Sequence, residues 1–230
     1  MDFKERLVRQ SELIPFEKLD KKITIIGAGA IGSFTSLALA KVGFQHQVVF
    51  DPDHVDTANM NCQFFRTSDI GKNKVEALHS LVKDFTSVEI QQYPVPLMPK
   101  MEIPATDILI SAVDSMEVRA ELWARAKADR RVKWYIDGRM GGETILLYVM
   151  NPKDPKDIAA YEKTLYSTAE AEHERCTMKA TMYTVNLIAG LITKAVKDIA
   201  TEFPKYTRII SWDLSHNSYM GFNKKTEEEK

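Results

Sequence analysis

A glycine-rich turn is the first feature of this sequence whose residue types and spacing point to chemistry. Gly27, Gly29 and Gly32 follow a β-branched run in the order Gly-x-Gly-x-x-Gly, and Ala30 opens a segment with helical periodicity. Glycines at this spacing allow a tight turn and a close approach of the backbone to a phosphate, while the helix N-terminus supplies N–H donors and positive potential. The pattern predicts a nucleotide site without naming the nucleotide, and a turn that binds nothing is the alternative.

Charged side chains follow at three points further along the chain. Asp51 ends the second β-branched run, 19 residues after Gly32, where a carboxylate can accept hydrogen bonds from ribose hydroxyls. A nicotinamide-dependent dehydrogenase would share this feature. Lys74 stands in the first turn of a predicted helix, and a solvated lysine beside Lys72 is the alternative to a phosphate contact. Asp114 follows an apolar run, at the strand end where doubly wound sheets bind ligands.

Alternating strands and helices must position these residues. Apolar, β-branched composition predicts four buried strands, at residues 21–27, 47–51, 106–114 and 132–138. Helical spacing of apolar positions predicts the helices between them, at 30–43, 71–84 and 115–129. This alternation predicts an α/β, doubly wound, Rossmann-like sheet that is mostly parallel, with helices on both faces. Residues 143–150 follow a Gly-Gly pair, which favours an antiparallel strand.

The chain of 230 residues suits one domain with appended arms. We interpret residues 1–20 as an N-terminal arm, 21–150 as the nucleotide-binding core and 151–175 as a polar, proline-punctuated crossover segment. Residues 176–230 are then a long, mostly buried helix that begins near Cys176, followed by closing antiparallel strands and a charged tail.

Composition excludes several classes of function. The net charge of −1 gives no reason to expect a nucleic acid or membrane partner, and no apolar run approaches the roughly 18 residues of a membrane span. The charged N-terminus lacks the apolar stretch of a signal peptide. The two cysteines stand 114 positions apart, so neither a disulfide scaffold nor a structural zinc site is expected. These features predict a cytoplasmic protein with reduced thiols.

Four ordered motifs resemble the ThiF/MoeB/HesA family of ubiquitin-activating-enzyme-like adenylyltransferases, in particular its compact bacterial or phage-type members. They are RLVRQ at 6–10, the glycine turn, DPDHVDTANMNCQ at 51–63 and DIGKNKVEA at 69–77. The family has D-x-D-x-V, then N-x-x-R-Q, then G-x-x-K in this order, and the likeness covers about residues 5–200. A dehydrogenase would need neither the second nor the third block.

The resemblance implies an enzyme that uses ATP and Mg²⁺ to join a carboxylate to AMP. Its substrate would be the C-terminus of a small ubiquitin-like or sulfur-carrier protein, a β-grasp protein ending in Gly-Gly. The resemblance further implies a homodimer, a downstream conjugating enzyme and a role in antiviral defence. Two alternatives stay open: adenylation of a small-molecule or tRNA-borne carboxylate, and a catalytically silent scaffold subunit.

The resemblance also assigns roles to single residues. It implies that Lys74 contacts the α-phosphate and that Asp114 holds Mg²⁺. Asp53 and Asn59 fall on family positions that orient sugar and phosphate, and Gln63 falls on a family position that binds the nucleotide.

Two further assignments come from the resemblance and concern Arg9 and Cys176. Arg9 would reach across a dimer interface to the triphosphate of the neighbouring subunit; a surface arginine on an N-terminal helix is the alternative. Cys176 would take the acyl group as a thioester, helped by the lowered pKa of a thiol at a helix N-terminus. A buried, inert cysteine is the alternative there.

The sequence departs from the family pattern at one phosphate-binding position. Cys62 stands where the family has an arginine, and Arg66, four residues on, could compensate if the segment were helical. The family's zinc-binding Cys-x-x-Cys pairs are also missing. Arg139, in a tight glycine turn, is expected either to guide the carrier's tail or to serve only the turn.

Overall fold

The computed structural model describes residues 3–97, 101–166, 180–203 and 207–223. Their strands form one eight-stranded sheet in the order β3-β2-β1-β4-β5-β6-β7-β8. The strands are β1 Ile23–Ile26, β2 Gln47–Phe50, β3 Gln91–Tyr93, β4 Ile108–Ser111, β5 Trp134–Gly141, β6 Thr144–Met150, β7 Thr207–Asp213 and β8 Ser218–Asn223. Strands β1 to β5 are parallel and β6 to β8 run antiparallel. The predicted sheet, including the antiparallel strand after the Gly-Gly pair, is confirmed.

Helices cover both faces of this sheet. They are α1 Phe3–Leu7, α2 Ala30–Val42, α3 Lys74–Thr86, α4 Met116–Ala128, α5 Pro155–Glu162 and α6 Met182–Ala200. One core lies under α2, α3 and α6, and the other lies under α4 and α5. Ile108 and Ile110 of β4 belong to the first core, whereas Leu109 between them belongs to the second. This period-two alternation is what a strand buried on both sides requires.

The nucleotide-binding edge follows from the strand order. The chain runs outward from β1 through β2 to β3 and then returns to the other side of β1 to form β4. The order therefore reverses between β1 and β4. At that point Ile26 pairs with Phe50 on one side and with Ser111 on the other, so the three strands end at one level. Crevices outside such ends are where open α/β sheets bind ligands.

Helix α2 ends at Gly43, as its sequence predicts. Gly43 has a φ of +113° and donates its N–H to the carbonyl oxygens of Leu39 and Ala40. A Cβ here would lie 2.6 Å from a methyl carbon of Leu7 and 2.9 Å from one of Leu19. Glycine is therefore required both by the left-handed backbone and by the N-terminal arm that packs on this end of the helix.

The C-terminal third differs from the sequence prediction. The crossover segment contains α5, which Asp154 caps by accepting a hydrogen bond from the Lys156 N–H at 2.9 Å. The long helix begins at Met182, because Thr181 before it is extended. Cys176 lies outside the described residues. The start predicted near position 176 is wrong for this helix.

The edge strand β3 was not predicted, and a helix in the N-terminal arm, here α1, was considered only as part of the alternative for Arg9. Strand β3 has only three residues, and Gln91 and Gln92 are exposed, so it lacks an apolar signal. No helix in the described ranges is long and apolar enough to cross a membrane.

Candidate functional site

The glycine turn lies between the ends of β1 and β4. Gly27 has a φ of +97°, and a Cβ there would lie 2.5 Å from the carbonyl oxygen of Ala112. A Cβ on Gly32 would overlap the carbonyl oxygen of Gly27. The space beside Gly29 is open instead, since the nearest atom to its Cβ position is the Gln63 side-chain nitrogen at 3.9 Å. Packing thus requires the first and third glycines, and the second leaves room for a ligand at the start of α2.

Asp51 fastens this turn to the loop after β2. One carboxylate oxygen accepts the Ala28 N–H at 2.6 Å, and the other accepts the Asp53 N–H at 2.8 Å. The side chain is buried. Each oxygen of an ionised carboxylate has a second lone pair, so a ribose hydroxyl could still be accepted. The ribose role of Asp51 stays a prediction, and its fastening role is visible directly.

The segment from Asn59 to Phe64 folds over the first turn of α2. The Asn59 carbonyl oxygen accepts the N–H groups of Cys62 and Gln63 at 3.2 and 3.1 Å. The Phe64 N–H then donates to the Ser33 hydroxyl at 3.0 Å. The Gln63 side-chain carbonyl is buried and has no hydrogen-bond partner in the described part of the chain. A buried acceptor left unpaired costs about 1–3 kcal/mol, so a ligand that donates a hydrogen bond here would be stabilised.

Lys74 is held in place at the start of α3. Its N–H donates to the Asp53 carbonyl oxygen at 2.9 Å, and its Nζ lies 2.8 Å from the Asp53 carboxylate. Its side chain is only 7 % exposed, whereas that of Asp53 is 64 % exposed and that of neighbouring Lys72 is 54 % exposed. Lys74 is therefore not a freely solvated lysine. Its ammonium group has a fixed position beside the loop that follows β2.

Asp114 is exposed and lies on the loop between β4 and α4. Arg119 stabilises this loop by hydrogen bonds to its backbone. Its guanidinium donates to the carbonyl oxygen of Asp114 at 3.3 Å and to that of Val113. Ser115 caps α4 by accepting the Val118 N–H at 3.3 Å. Arg119 was not among the predicted site residues. Its spacing, five residues after Asp114 at the start of a helix, is the signal that could have revealed it.

Cys62 does not face the phosphate side of the turn. It is buried in an apolar cluster with Phe34 of α2 and with Val185 and Ala189 of α6. Burial raises the pKa of its thiol, which lowers the thiolate fraction at neutral pH. The position that carries an arginine in the family pattern therefore points into the interior here.

Arg66, which could have compensated in a helical segment, does not replace that missing cation. Its guanidinium lies 2.7 Å from the Asp84 carboxylate, in the last part of α3. Asp84 is ten residues beyond Lys74, which is about 15 Å along a helix. The side chain is therefore directed along α3 and away from the glycine turn.

Arg9 is exposed in a 3₁₀ turn, Val8–Gln10, within the N-terminal arm. The Gln10 side chain donates to the carbonyl oxygen of Val42, and Arg6 donates to that of Ala40 at 3.4 Å. These anchors lie at the C-terminal end of α2, whereas the glycine turn lies at its N-terminal end. The helix has 13 residues, so the two ends are about 20 Å apart. Arg9 is thus remote from the glycine turn of its own chain.

Arg139 is not available to guide a peptide tail. Its Nε lies 2.7 Å from the buried carboxylate of Asp137, and one of its terminal nitrogens donates to the Thr164 carbonyl oxygen at 2.9 Å. The expectation of a peptide contact is therefore wrong. The alternative that it serves only the turn is also wrong, because Arg139 lies within β5 and its contacts extend to Thr164, beyond α5.

Comparison with known proteins identifies the family. A model of the ThiF family matches residues 15–230. The chain belongs to the ThiF family. Ubiquitin-like modifier-activating enzyme 5 of Drosophila grimshawi is 28% identical over an alignment of 149 residues, and the match covers 57% of this ThiF-family chain and 37% of that protein. The enzyme 5 of Drosophila ananassae gives the same values. The match spans little more than a third of these curated relatives.

Solved structures share the fold of this ThiF-family chain. Escherichia coli MccB with ATP superposes with a TM-score of 0.73 at 18% identity, covering 90% of this chain and 65% of that one. PaaA superposes with a TM-score of 0.77, also at 18% identity, covering 96% and 73%. At these identities the likeness establishes the Rossmann-like ThiF architecture and does not by itself transfer activity.

Proposed function

We propose that this ThiF-family chain is an ATP-dependent adenylyltransferase that activates a carboxylate as an acyl adenylate. One observation supports the proposal: the segments that follow β1, β2 and β4, three strands that end at one level, contain three features suited to binding a nucleotide. They are a glycine turn open beside Gly29, the fixed ammonium group of Lys74 and the exposed carboxylate of Asp114. Asp51 ties the turn to the loop that holds Lys74.

The chemistry explains why these groups belong together. A carboxylate oxygen attacks the α-phosphorus of ATP, an acyl–phosphate bond forms and pyrophosphate leaves. Both reactants are anionic, so the site must supply positive charge. Lys74 would supply it to the α-phosphate, and the N–H groups at the start of α2 would bind phosphate oxygens.

A magnesium ion would add a second source of positive charge. Asp114 offers the hard oxygen ligand that Mg²⁺ prefers, at an accessible position next to the glycine turn. Among the described residues no group of three or more His, Cys, Asp and Glu side chains is arranged to enclose a metal ion. This donor set fits Mg²⁺, which commonly uses one or two carboxylates together with phosphate oxygens and water.

The nucleoside would be held by residues on the other side of the turn. We assign ribose contacts to Asp51 and contacts with sugar and phosphate to Asp53 and Asn59. The unpaired carbonyl of Gln63 would accept a hydrogen bond from the nucleotide, which would explain why it has no protein partner.

Replacing Asp114 tests the metal assignment. Asp114→Asn removes the charge but keeps the size of the side chain, so we expect ATP–pyrophosphate exchange to fall about 10²-fold and half-saturation with Mg²⁺ to rise. Exchange rates measured across a magnesium titration provide the readout. Glu121→Gln, which neutralises an acidic side chain on α4, is the matched control and should behave as wild type. Unaltered magnesium dependence in Asp114→Asn would reject the assignment.

We propose a ubiquitin-like or sulfur-carrier-like protein ending in Gly-Gly as the source of the carboxylate. The names of the Drosophila relatives support this substrate class. MccB has been crystallised with the peptide MccA, which supports the general class of carboxylate from a peptide chain. Family likeness alone suggests the setting: the cytoplasm, upstream of a conjugating enzyme in antiviral defence.

ATP–pyrophosphate exchange with purified candidate carriers tests the function. Exchange that requires the intact Gly-Gly tail supports the proposal. Exchange supported by peptides or small carboxylic acids, and indifferent to the carrier, would favour the alternative substrates. Failure of every carboxylate to support exchange, together with failure to bind ATP, would favour a silent scaffold. That last reading draws its support from the inward-facing Cys62 and from Arg66, which leave the site with fewer cations.

Cys176→Ala tests the thioester step. In that step the thiolate attacks the acyl adenylate, a thioester forms and AMP leaves. We expect the variant to retain full exchange and to lose the thiol-sensitive carrier adduct seen on non-reducing gels. Cys62→Ala is the control and should keep the adduct, because Cys62 is buried and its pKa is raised. An adduct that persists in Cys176→Ala would place the acceptor elsewhere.

A further inference from the structure

A buried charge cluster lies on the α4 and α5 side of the sheet, below the candidate site. At its centre is Asp137 of β5, which is fully buried and pairs with Ser111, the last residue of β4. Its two oxygens lie 3.0 Å from Nε of Arg119 and 2.7 Å from Nε of Arg139. The hydroxyl of Tyr161 donates to it at 2.8 Å. Burial raises the pKa of Tyr161, which keeps this donor protonated.

Each arginine of the cluster also holds the backbone of a different loop. Arg119 donates to the carbonyl oxygens of Val113 and Asp114, on the loop that carries the proposed metal ligand. Arg139 donates to the carbonyl oxygen of Thr164 at 2.9 Å and to its hydroxyl at 3.1 Å, just beyond α5. One carboxylate therefore orients two guanidinium groups that grip two separate segments.

The cluster carries more positive than negative charge. Asp137 neutralises one of the two guanidinium groups, and the excess is stabilised by carbonyl oxygens and by aromatic rings. The Arg139 guanidinium lies 4.7 Å from the ring centre of Tyr148 and 5.6 Å from that of Tyr161. Loss of either set of carbonyl contacts would leave a buried cation poorly solvated, so the two sets depend on each other through Asp137.

We propose that Asp137 is a positioning residue that couples the segment after α5 to the Asp114 loop. When Thr164 is docked on Arg139, Asp137 is held in the orientation that fixes Arg119 and, through it, the loop. The coupling rests on the proposed function only for its consequence, which is tighter binding of magnesium-bound ATP. Buried ion pairs are often no more stabilising than apolar residues of similar size, so a role in specifying loop geometry accounts for this cluster better than stability does.

Arg139→Lys distinguishes a role of the cluster in specifying loop geometry from a role in stability alone. Lysine keeps the positive charge beside Asp137 but cannot reproduce the fork that grips Thr164. Hydrogen exchange, measured without ligand, should become about tenfold faster at residues 112–116, which Arg139 does not contact. Arg119→Lys should give the same acceleration directly, since it loses the donors to Val113 and Asp114. Arg131→Lys, which alters the ion pair between Arg131 and Asp129 just beyond α4, should leave hydrogen exchange at residues 112–116 unchanged.

Binding of ATP gives the second readout. In Arg139→Lys we expect the Kd for ATP to rise about tenfold with Mg²⁺ and to stay unchanged with EDTA. A merely structural role would lower thermal stability without altering the ratio of the Kd for ATP with Mg²⁺ to the Kd with EDTA. Faster hydrogen exchange confined to residues 161–165 would overturn the coupling whether or not ATP binds. Wild-type protein that shows coupled exchange but no ATP binding would contradict the proposed function and leave the coupling supported.

Discussion

Lys74→Ala is expected to lower ATP–pyrophosphate exchange by about 10²-fold or more, because it removes a fixed cation from the α-phosphate. The fold should survive. The partner of Lys74 is Asp53, whose side chain is 64 % exposed, so water can solvate the carboxylate once the lysine is gone. The asparagine cap of α3 stays intact, since Asn73 accepts the Val75 N–H at 3.0 Å independently of Lys74. Exchange assays and thermal unfolding on the same preparations provide the measurement.

Lys83→Ala is the matched control, since it removes a lysine from the same helix that pairs with the exposed Glu89. It should leave exchange unchanged. Lys74→Arg should retain part of the activity, because the charge is kept while its reach and geometry differ. Wild-type exchange in Lys74→Ala would mean that the phosphates lie elsewhere, and the site assignment would then fail.

The fold was predictable because its signals are local. Buried parallel strands have continuous apolar composition, and the helix between two of them ends at a glycine, Gly43, where the backbone is left-handed. Elements without a strong local signal were missed. The short edge strand β3 exposes glutamines, and α5 forms within a segment whose polar composition and prolines suggested only a crossover.

The direction of a side chain was less predictable than its place in a motif. The motif locates Cys62 beside the turn, but long-range packing against α6 decides that it faces inward. Arg66 pairs with an aspartate 18 residues away, which no local pattern specifies.

Arg139 is different, because residues two apart on a strand share a face. Its pairing with Asp137 was available from the sequence, and it was missed because the strand predicted at 132–138 stopped one residue short of Arg139, whereas β5 extends to Gly141.

Mixing two inactive variants is expected to restore activity if Arg9 acts in trans. The arm places Arg9 at the end of α2 remote from its own glycine turn, so a second copy of the chain must bring the arginine to the phosphates. Val8 and Leu13, which flank Arg9, are 61% and 76% exposed, and a dimer interface would cover them. An arginine supplied in this way contributes about 10³-fold or more in phosphoryl-transfer enzymes, and Arg9→Ala should lose activity on that scale.

Co-expression of Arg9→Ala with Lys74→Ala distinguishes an arginine that acts on the neighbouring subunit's site from one that acts on its own. In a mixed dimer one site combines an intact Lys74 with an intact Arg9 from the other chain, while the second site lacks both. Random pairing makes half of the dimers mixed, each with one working site of two, so about a quarter of wild-type exchange should return. Replacing the Lys74→Ala chain by the double variant Arg9→Ala/Lys74→Ala should abolish that recovery. If Arg9 served its own site, each chain of the mixed dimer would contain one intact residue and one defect, and no exchange would return.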